Sequence, residues 1–337
     1  MRTLLKSCLL LLFFHPHAYA MSDRIELVNG SVLIGKFLDA DNGSVSFETE
    51  FAGTLKVSQA QIIAMDVRSE LTLQLEDGSI VKTDSLVVAE QTMALGAAIE
   101  ANYALAQLTR INPEPWELGN GYRHTGIVSS AFSLQRGNTV RDDLAYQIDS
   151  RWRGLDDRYT LKIEGEVREA NRERNAENWM ITGKYDRFQT GDYYWGFAAI
   201  LEENRFADLD LRTTVGPYVG RSLFENTPFV LEVETGLSHI NEDFGEAADR
   251  SYVGLTWSLH SESDYFGADS RLYLDHSGVQ NLDERGNTII NTTFGLAFPL
   301  IAGVEGATEV VLDYNSGAVA DTEKLDQTYR FRLGYSW

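Results

Sequence analysis

The chain has 337 residues, 50 acidic against 29 basic side chains, a formal net charge of −21 and one cysteine, Cys8. So acidic a balance excludes a nucleic-acid partner, which calls for a basic patch, and favours solubility and self-repulsion without specifying a fold. One cysteine allows no intramolecular disulfide.

Arg2 and Lys6 precede the apolar run CLLLLFF at 8–14, and Ala18-Tyr19-Ala20 has the form of a cleavage site. Residues 1–20 read as a secretory signal peptide, too short to span a bilayer. Cys8 stands before the apolar run, whereas a lipoprotein cysteine follows it. Cleavage after Ala20 removes two cations, Arg2 and Lys6, taking the charge from −21 to −23, and leaves no thiol. No later segment approaches 18 consecutive apolar residues, so a membrane-bound mature chain must cross as a barrel.

Residues 21–90 alternate in short strands punctuated by Asn29-Gly30, Asn42-Gly43, Ala52-Gly53 and Asp77-Gly78. Asn-Gly and Asp-Gly supply the positive φ that tight hairpin turns need. The expectation is a small all-β domain of five or six strands, SH3-like or Sm-like, lying in the periplasm. Its apolar set is Ile25, Leu27, Val32, Ile34, Val45, Phe47, Leu55, Val57, Leu71, Leu73 and Leu75. It reads either as a docking module for a periplasmic partner or as a spacer, and no binding motif marks it.

Residues 91–121 are rich in alanine and leucine, which predicts a partly helical linker with Leu105, Leu108 and Ile111 on one side. Asn112-Pro113-Glu114-Pro115 forbids continuation of the helix.

Residues 122–337 divide into twelve strands of period two: 122–136, 142–153, 158–170, 177–188, 193–204, 211–224, 229–241, 250–261, 267–279, 287–298, 306–315 and 325–337. Their length suits a tilted crossing of the hydrocarbon layer. Connections after even strands are short. Those after odd strands are mostly long and charged, as in NRERNAEN at 171–178 and SGAVADTEK at 316–324. That asymmetry is the signature of an outer-membrane β-barrel, with both ends of the chain on the short-turn, periplasmic side. The last strand, YRFRLGYSW, ends on Trp337. It resembles the terminal strand of bacterial outer-membrane barrels, where a C-terminal aromatic serves as the assembly signal. The implied partners are the barrel assembly machinery and outer-membrane lipids.

The outward parity carries Leu144, Ile148, Tyr159, Leu161, Trp195, Phe197, Leu237, Val253 and Trp257. The inward parity carries Asp149, Arg151 and Arg153, then Lys162, Glu164, Glu166 and Arg168, then Lys184 and Asp186. Glu232, Glu234, Arg271, Asp275, Glu309, Asp313, Arg330 and Arg332 follow. Interleaved signs predict cross-strand pairs and a narrow lumen largely filled by paired charges.

Some twelve-stranded barrels hydrolyse lipids, so Asp275-His276-Ser277 is the triad candidate. Consecutive strand residues face opposite ways, however, and cannot form a triad among themselves. His124, His239 and His260 are isolated, and no cluster has metal-ligand spacing. The acidic run Glu242, Asp243, Glu246 and Asp249 suits a solvated loop better than a calcium site. No catalytic, cofactor or metal residue is assigned.

Gly137-Asn138-Thr139 after the first strand, YDRF at 185–188, the 192–204 strand, GPYVGRSLF at 216–224 and FVLEVETGLSH at 229–239 together resemble the salt-induced outer-membrane protein family. The amino-terminal VNGSVLIGKF and FETEFAGTLKV resemble the small β domain preceding such barrels. The resemblance implies a Gram-negative outer-membrane barrel, with no activity or functional residues to carry over. The expected function is a non-enzymatic structural or binding role in the envelope under osmotic or salt stress. A narrow cation or small-solute channel is the alternative, and a lipid hydrolase a more remote one.

Overall fold

The computed structural model describes residues 22–337 except 42, 90–91, 97–98, 105–106, 136–140, 171–172, 190–191, 225–228, 265–266, 268–269, 284–286, 302 and 319–322. The expected signal peptide and the Gly137–Thr139 turn lie outside the described residues. The chain splits into two units, one up to Glu114 and one from Pro115 to Trp337. Among the described residues no helix is long and apolar enough to cross a membrane.

The first unit is all-β. Its strands are β1 (Asp23–Leu27), β2 (Val32–Asp41), β3 (Ser44–Thr49), β4 (Gly53–Ser58), β5 (Ile62–Val67) and β6 (Leu71–Leu75). They continue as β7 (Ile80–Thr83), β8 (Leu86–Ala89), β9 (Thr92–Leu95), β10 (Ile99–Ala104) and β11 (Leu108–Ile111). The sheet order is β10-β9-β8-β5-β1-β2-β11-β6-β7, with β3 and β4 branching from β2. Gly30 and Gly78 turn at φ of +82° and +81°, as Asn-Gly and Asp-Gly require. Ile25, Val45, Phe47, Leu71 and Leu73 are buried together. Buried Asp23 accepts from the Phe37 and Arg68 backbone N–H groups at 2.8 and 3.0 Å, which satisfies its carboxylate.

Two expectations fail here. Val32 and Ile34 are exposed, 43% and 61%, and Phe37 fills the core instead. The inner face of β2 is that of Leu33, Gly35 and Phe37, with Gly35 where β2 meets the Glu48 backbone so closely that any Cβ would collide. The 91–121 segment is not a partly helical linker. Met93 and Leu95 alternate into the core of the first unit, and Ile111 is buried beside them. Period two overrides alanine's helical propensity, because tertiary burial outweighs propensity. Asn112 locks this end by donating to the Leu38 carbonyl and accepting from the Thr72 N–H. Among the described residues the unit thus has eleven strands and runs past residue 90, with a 3-10 turn at Pro115–Leu118 beyond it.

The second unit is a closed antiparallel barrel of twelve strands in sequence order. These are β12 (Arg123–Gln135), β13 (Arg141–Arg153), β14 (Asp157–Ala170), β15 (Glu173–Phe188), β16 (Tyr193–Asn204) and β17 (Leu209–Leu223). The circuit closes through β18 (Phe229–Phe244), β19 (Arg250–Ser263), β20 (Arg271–Asn281), β21 (Thr288–Ile301), β22 (Val304–Asn315) and β23 (Leu325–Ser336). The expected long loop at 171–178 is mostly strand. After a bulge, Glu169 pairs with Arg174, and Arg174 and Arg205 both bond Glu177, so the charges decorate an extended hairpin.

This barrel reverses the arrangement of the first unit. Ile148, Tyr159, Trp195, Phe197, Leu237 and Val253 lie exposed on its outside. Arg158, Asp186, Arg212, Glu242, Glu309 and Arg332 are buried within. Isolated exposed apolar residues need no explanation, but so many on the outer face do.

Candidate functional site: a charged barrel lumen

Strict alternation sends every second side chain inward, and four carboxylates there are each held between a cation and a tyrosine. Glu234 on β18 accepts from Lys184 Nζ at 2.7 Å, Tyr194 OH at 2.9 Å and Ser258 Oγ at 2.6 Å. Asp186 on β15 accepts from Arg158 Nε at 2.6 Å and from the Tyr218 hydroxyl. Glu309 on β22 takes Arg330 Nε at 2.5 Å, Arg332 Nε and Tyr273 OH, both at 2.6 Å. Glu242 on β18 takes Arg212 Nε at 2.8 Å and Tyr252 OH at 3.2 Å. A buried charge so surrounded is compensated; removing one partner would strand the other.

Some of these bonds cross the interior. Arg158 on β14 also donates from Nη1 to Glu232 on β18, 2.8 Å away and four strands round the wall. Lys184 on β15 reaches Glu234 three strands away. The Arg168 guanidinium on β14 donates to Thr328 Oγ1 on β23 at 3.0 Å, also three strands away. These bonds brace the lumen as well as lining it.

Glycine makes room for the tyrosines. Tyr194 lies over Gly220 and Tyr218 over Gly196, each in register with the glycine it covers, and a Cβ at either glycine would run into the ring. The two rings meet edge to face at 6.5 Å and 88°. Tyr273 covers Gly295 in the same way. Large rings laid over strand glycines pin register while delivering hydroxyls to the carboxylates.

The structure pairs the expected ladder differently. Lys162 bonds Glu164 at 3.0 Å and Arg168 bonds Glu166, so these pairs run along β14 and not across to β13. Asp149 accepts from Gln147 at 2.6 Å. Arg151 makes no ion pair among the described residues. Asp275 bonds His260 Nδ1 at 2.6 Å, and Glu262 sits 3.3 Å from Nε2 of the same ring. Arg158, Arg212, with Glu202 at 2.8 Å from its Nη1, and the four tyrosines escaped the sequence reading. Their parity was available, but the inward set was read from charged residues and these tyrosines were assigned to neither face.

His276 does face outward, away from Asp275 and Ser277. Trp257 Nε1 donates to its Nε2 at 3.2 Å. An indole N–H only donates, so that nitrogen accepts, and Nδ1 carries the proton it gives Thr292 Oγ1 at 2.9 Å. In that tautomer His276 takes no proton from Thr292. His124 stacks on Trp152 at 4.8 Å, and His239 lies 3.5 Å from Ser251 Oγ. Of the acidic run, Glu242 turns into the lumen and Asp249 caps the Phe244 N–H at 3.1 Å. Among the described residues no group of three or more His, Cys, Asp or Glu could hold a metal ion.

Residues 128–337 match the model of a family described as protein of unknown function, DUF481. No curated protein matches the sequence. Similar solved structures include the translocator domain of the autotransporter NalP from Neisseria meningitidis, at 11% identity and TM-score 0.37, over 65% of this chain and 88% of that one. The NanC porin is 10% identical with TM-score 0.41, over 63% of this chain and 98% of its own. The KdgM porin is 12% identical with TM-score 0.33, over 63% and 98%.

Proposed function

The chain belongs to the DUF481 family, and from that premise we propose that it is a non-enzymatic outer-membrane barrel with a structural or binding role in the cell envelope, its lumen braced by paired charges. The observation that carries this reading is the Arg158–Glu232 bond across the interior, seconded by Lys184–Glu234. A solute crossing the barrel would have to break desolvated ion pairs. The exposed outward side chains of Ile148, Trp195, Phe197, Leu237 and Val253 support membrane insertion. Both barrel ends fall on the short-turn rim, so the first unit belongs in the periplasm, and a role under osmotic or salt stress follows the family resemblance. Heat-modifiable gel migration tests the barrel: folded and boiled protein should run apart, and identical migration after verified refolding would oppose it. Liposome swelling with small sugars tests the lumen: swelling should stay near that of empty vesicles.

A second reading, a narrow cation or small-solute channel, draws on Arg151, which is exposed toward the lumen without an ion pair among the described residues. Swelling well above the empty-vesicle rate would favour it.

A further inference from the structure

Eleven of the twelve barrel seams carry ten to fourteen register pairs. The closing seam, β12 against β23, carries four, from Ile127↔Ser336 to Ser130↔Leu333. Reciprocal backbone bonds between Gly126 and Trp337, at 3.1 and 3.0 Å, extend it at the short-turn end. Toward the long-loop rim no further register pairs join the two strands. Ala131–Gln135 stays paired with β13, and Leu325–Arg332 with β22, but neither edge pairs with the other. Continuing the register would set Phe132 against Phe331.

Unpaired strand edges are not left bare in hydrocarbon; they persist only where something covers them or where they line a polar cavity. The two sides of this gap differ in chemistry. Outside stand Phe132, 68% exposed, Tyr329, 73%, and Phe331. Behind it the Arg168 guanidinium, which also pairs with Glu166, reaches Thr328, and Arg330 engages Glu309. Asp313 and Asp326 lie side by side on the lumen face of β22 and β23. Apolar rings outside, with a guanidinium and a carboxylate pair within, match an amphipath whose head carries both a phosphate and an amine.

We propose that the half-open β12–β23 seam is a lateral portal that seats a zwitterionic phospholipid, its head in the lumen against Arg168, Asp313 and Asp326 and its acyl chains outside among Phe132, Tyr329 and Phe331. This rests on the membrane reading above. The guanidinium donates to the phosphate oxygens, the lipid ammonium donates to the carboxylates, and the lipid covers the edges that the barrel leaves unpaired.

The test is photolabelling of the full chain refolded in phosphatidylcholine vesicles doped with phosphatidylethanolamine bearing a diazirine on either the head or an acyl chain. The head probe should label lumen-facing Thr328 and its neighbours at least fivefold over the acyl probe, which should label Phe132 and Tyr329. Head labelling confined to the rim loops, with acyl labelling of the outer belt intact, would overturn the portal and leave the membrane reading standing. Loss of acyl labelling along the whole belt would overturn both. A second arm uses Cys8→Ser chains stapled by disulfides. Oxidised Phe132→Cys/Phe331→Cys should abolish head labelling at Thr328, whereas Val128→Cys/Tyr335→Cys, in the closed part of the seam, should leave it. Labelling unchanged by the gap staple would refute the proposal.

Discussion

Arg158 and Glu232 lie on strands four apart in the barrel wall, yet their side chains meet at 2.8 Å. Arg158 holds Asp186 with its other edge, and its side chain is 7% exposed against none for Asp186. One guanidinium therefore ties together two walls of the lumen.

Arg158→Ala should leave two carboxylates facing each other in a poorly hydrated interior, at a cost of roughly 3–5 kcal/mol. Replacing Arg158, Asp186 and Glu232 together with neutral residues of similar volume should recover much of that loss. The readout is the temperature at which the folded band converts to the unfolded one on a denaturing gel. A single variant as stable as the triple would show that the brace carries no energy.

The tyrosine–glycine interlock makes a sharper steric prediction. Gly196→Val and Gly220→Val each drive a branched side chain into Tyr218 or Tyr194, so folded yield should fall steeply. Gly183→Ala, whose new methyl would meet nothing closer than the Ala199 carbonyl at 4.0 Å, should change little. Refolding yield in detergent separates the two classes.

At the barrel's closing seam the Trp337 indole lies over Gly126, with the His124 ring edge-on at 5.7 Å. Deleting Trp337 or converting Gly126→Leu should lower the amount of folded protein in the membrane fraction. Ser336→Ala, which loses only a 3.4 Å contact to the Gly303 carbonyl, should not. Normal membrane levels for both damaging variants would show that the seam does not depend on this contact.

In the first unit, Phe37→Ala should cost about 3–5 kcal/mol by leaving a core cavity, while exposed Ile34→Ala should cost little. Thermal unfolding followed by circular dichroism checks both.

The barrel was legible in the sequence because period two is strict there. All twelve strand starts fall within four residues of expectation, β16 matches end for end, and β15 and β20, the least accurate, start at Glu173 and Arg271 where 177 and 267 were expected. The inward set was legible for the same reason, since Lys184, Glu234, Glu309 and Arg332 all appear inside. Their partners were not. Pairing depends on which strands lie across the lumen, as with Arg158 and Glu232, and on rotamers within one strand, as with Lys162 and Glu164. Composition misled at 91–111, where alanine suggested a helix although Met93, Leu95 and Ile111 were needed by a core formed elsewhere in the chain. Val32 and Ile34 were misplaced because β2 turns the face of Phe37 inward.

Planar-bilayer conductance of the refolded barrel tests the braced lumen most directly. The unmodified protein should give only small, infrequent steps, and Arg158→Ala combined with Glu232→Ala should raise both step size and frequency. Large, stable steps from the unmodified protein, unchanged by those substitutions, would contradict the account and make the lumen an open pore.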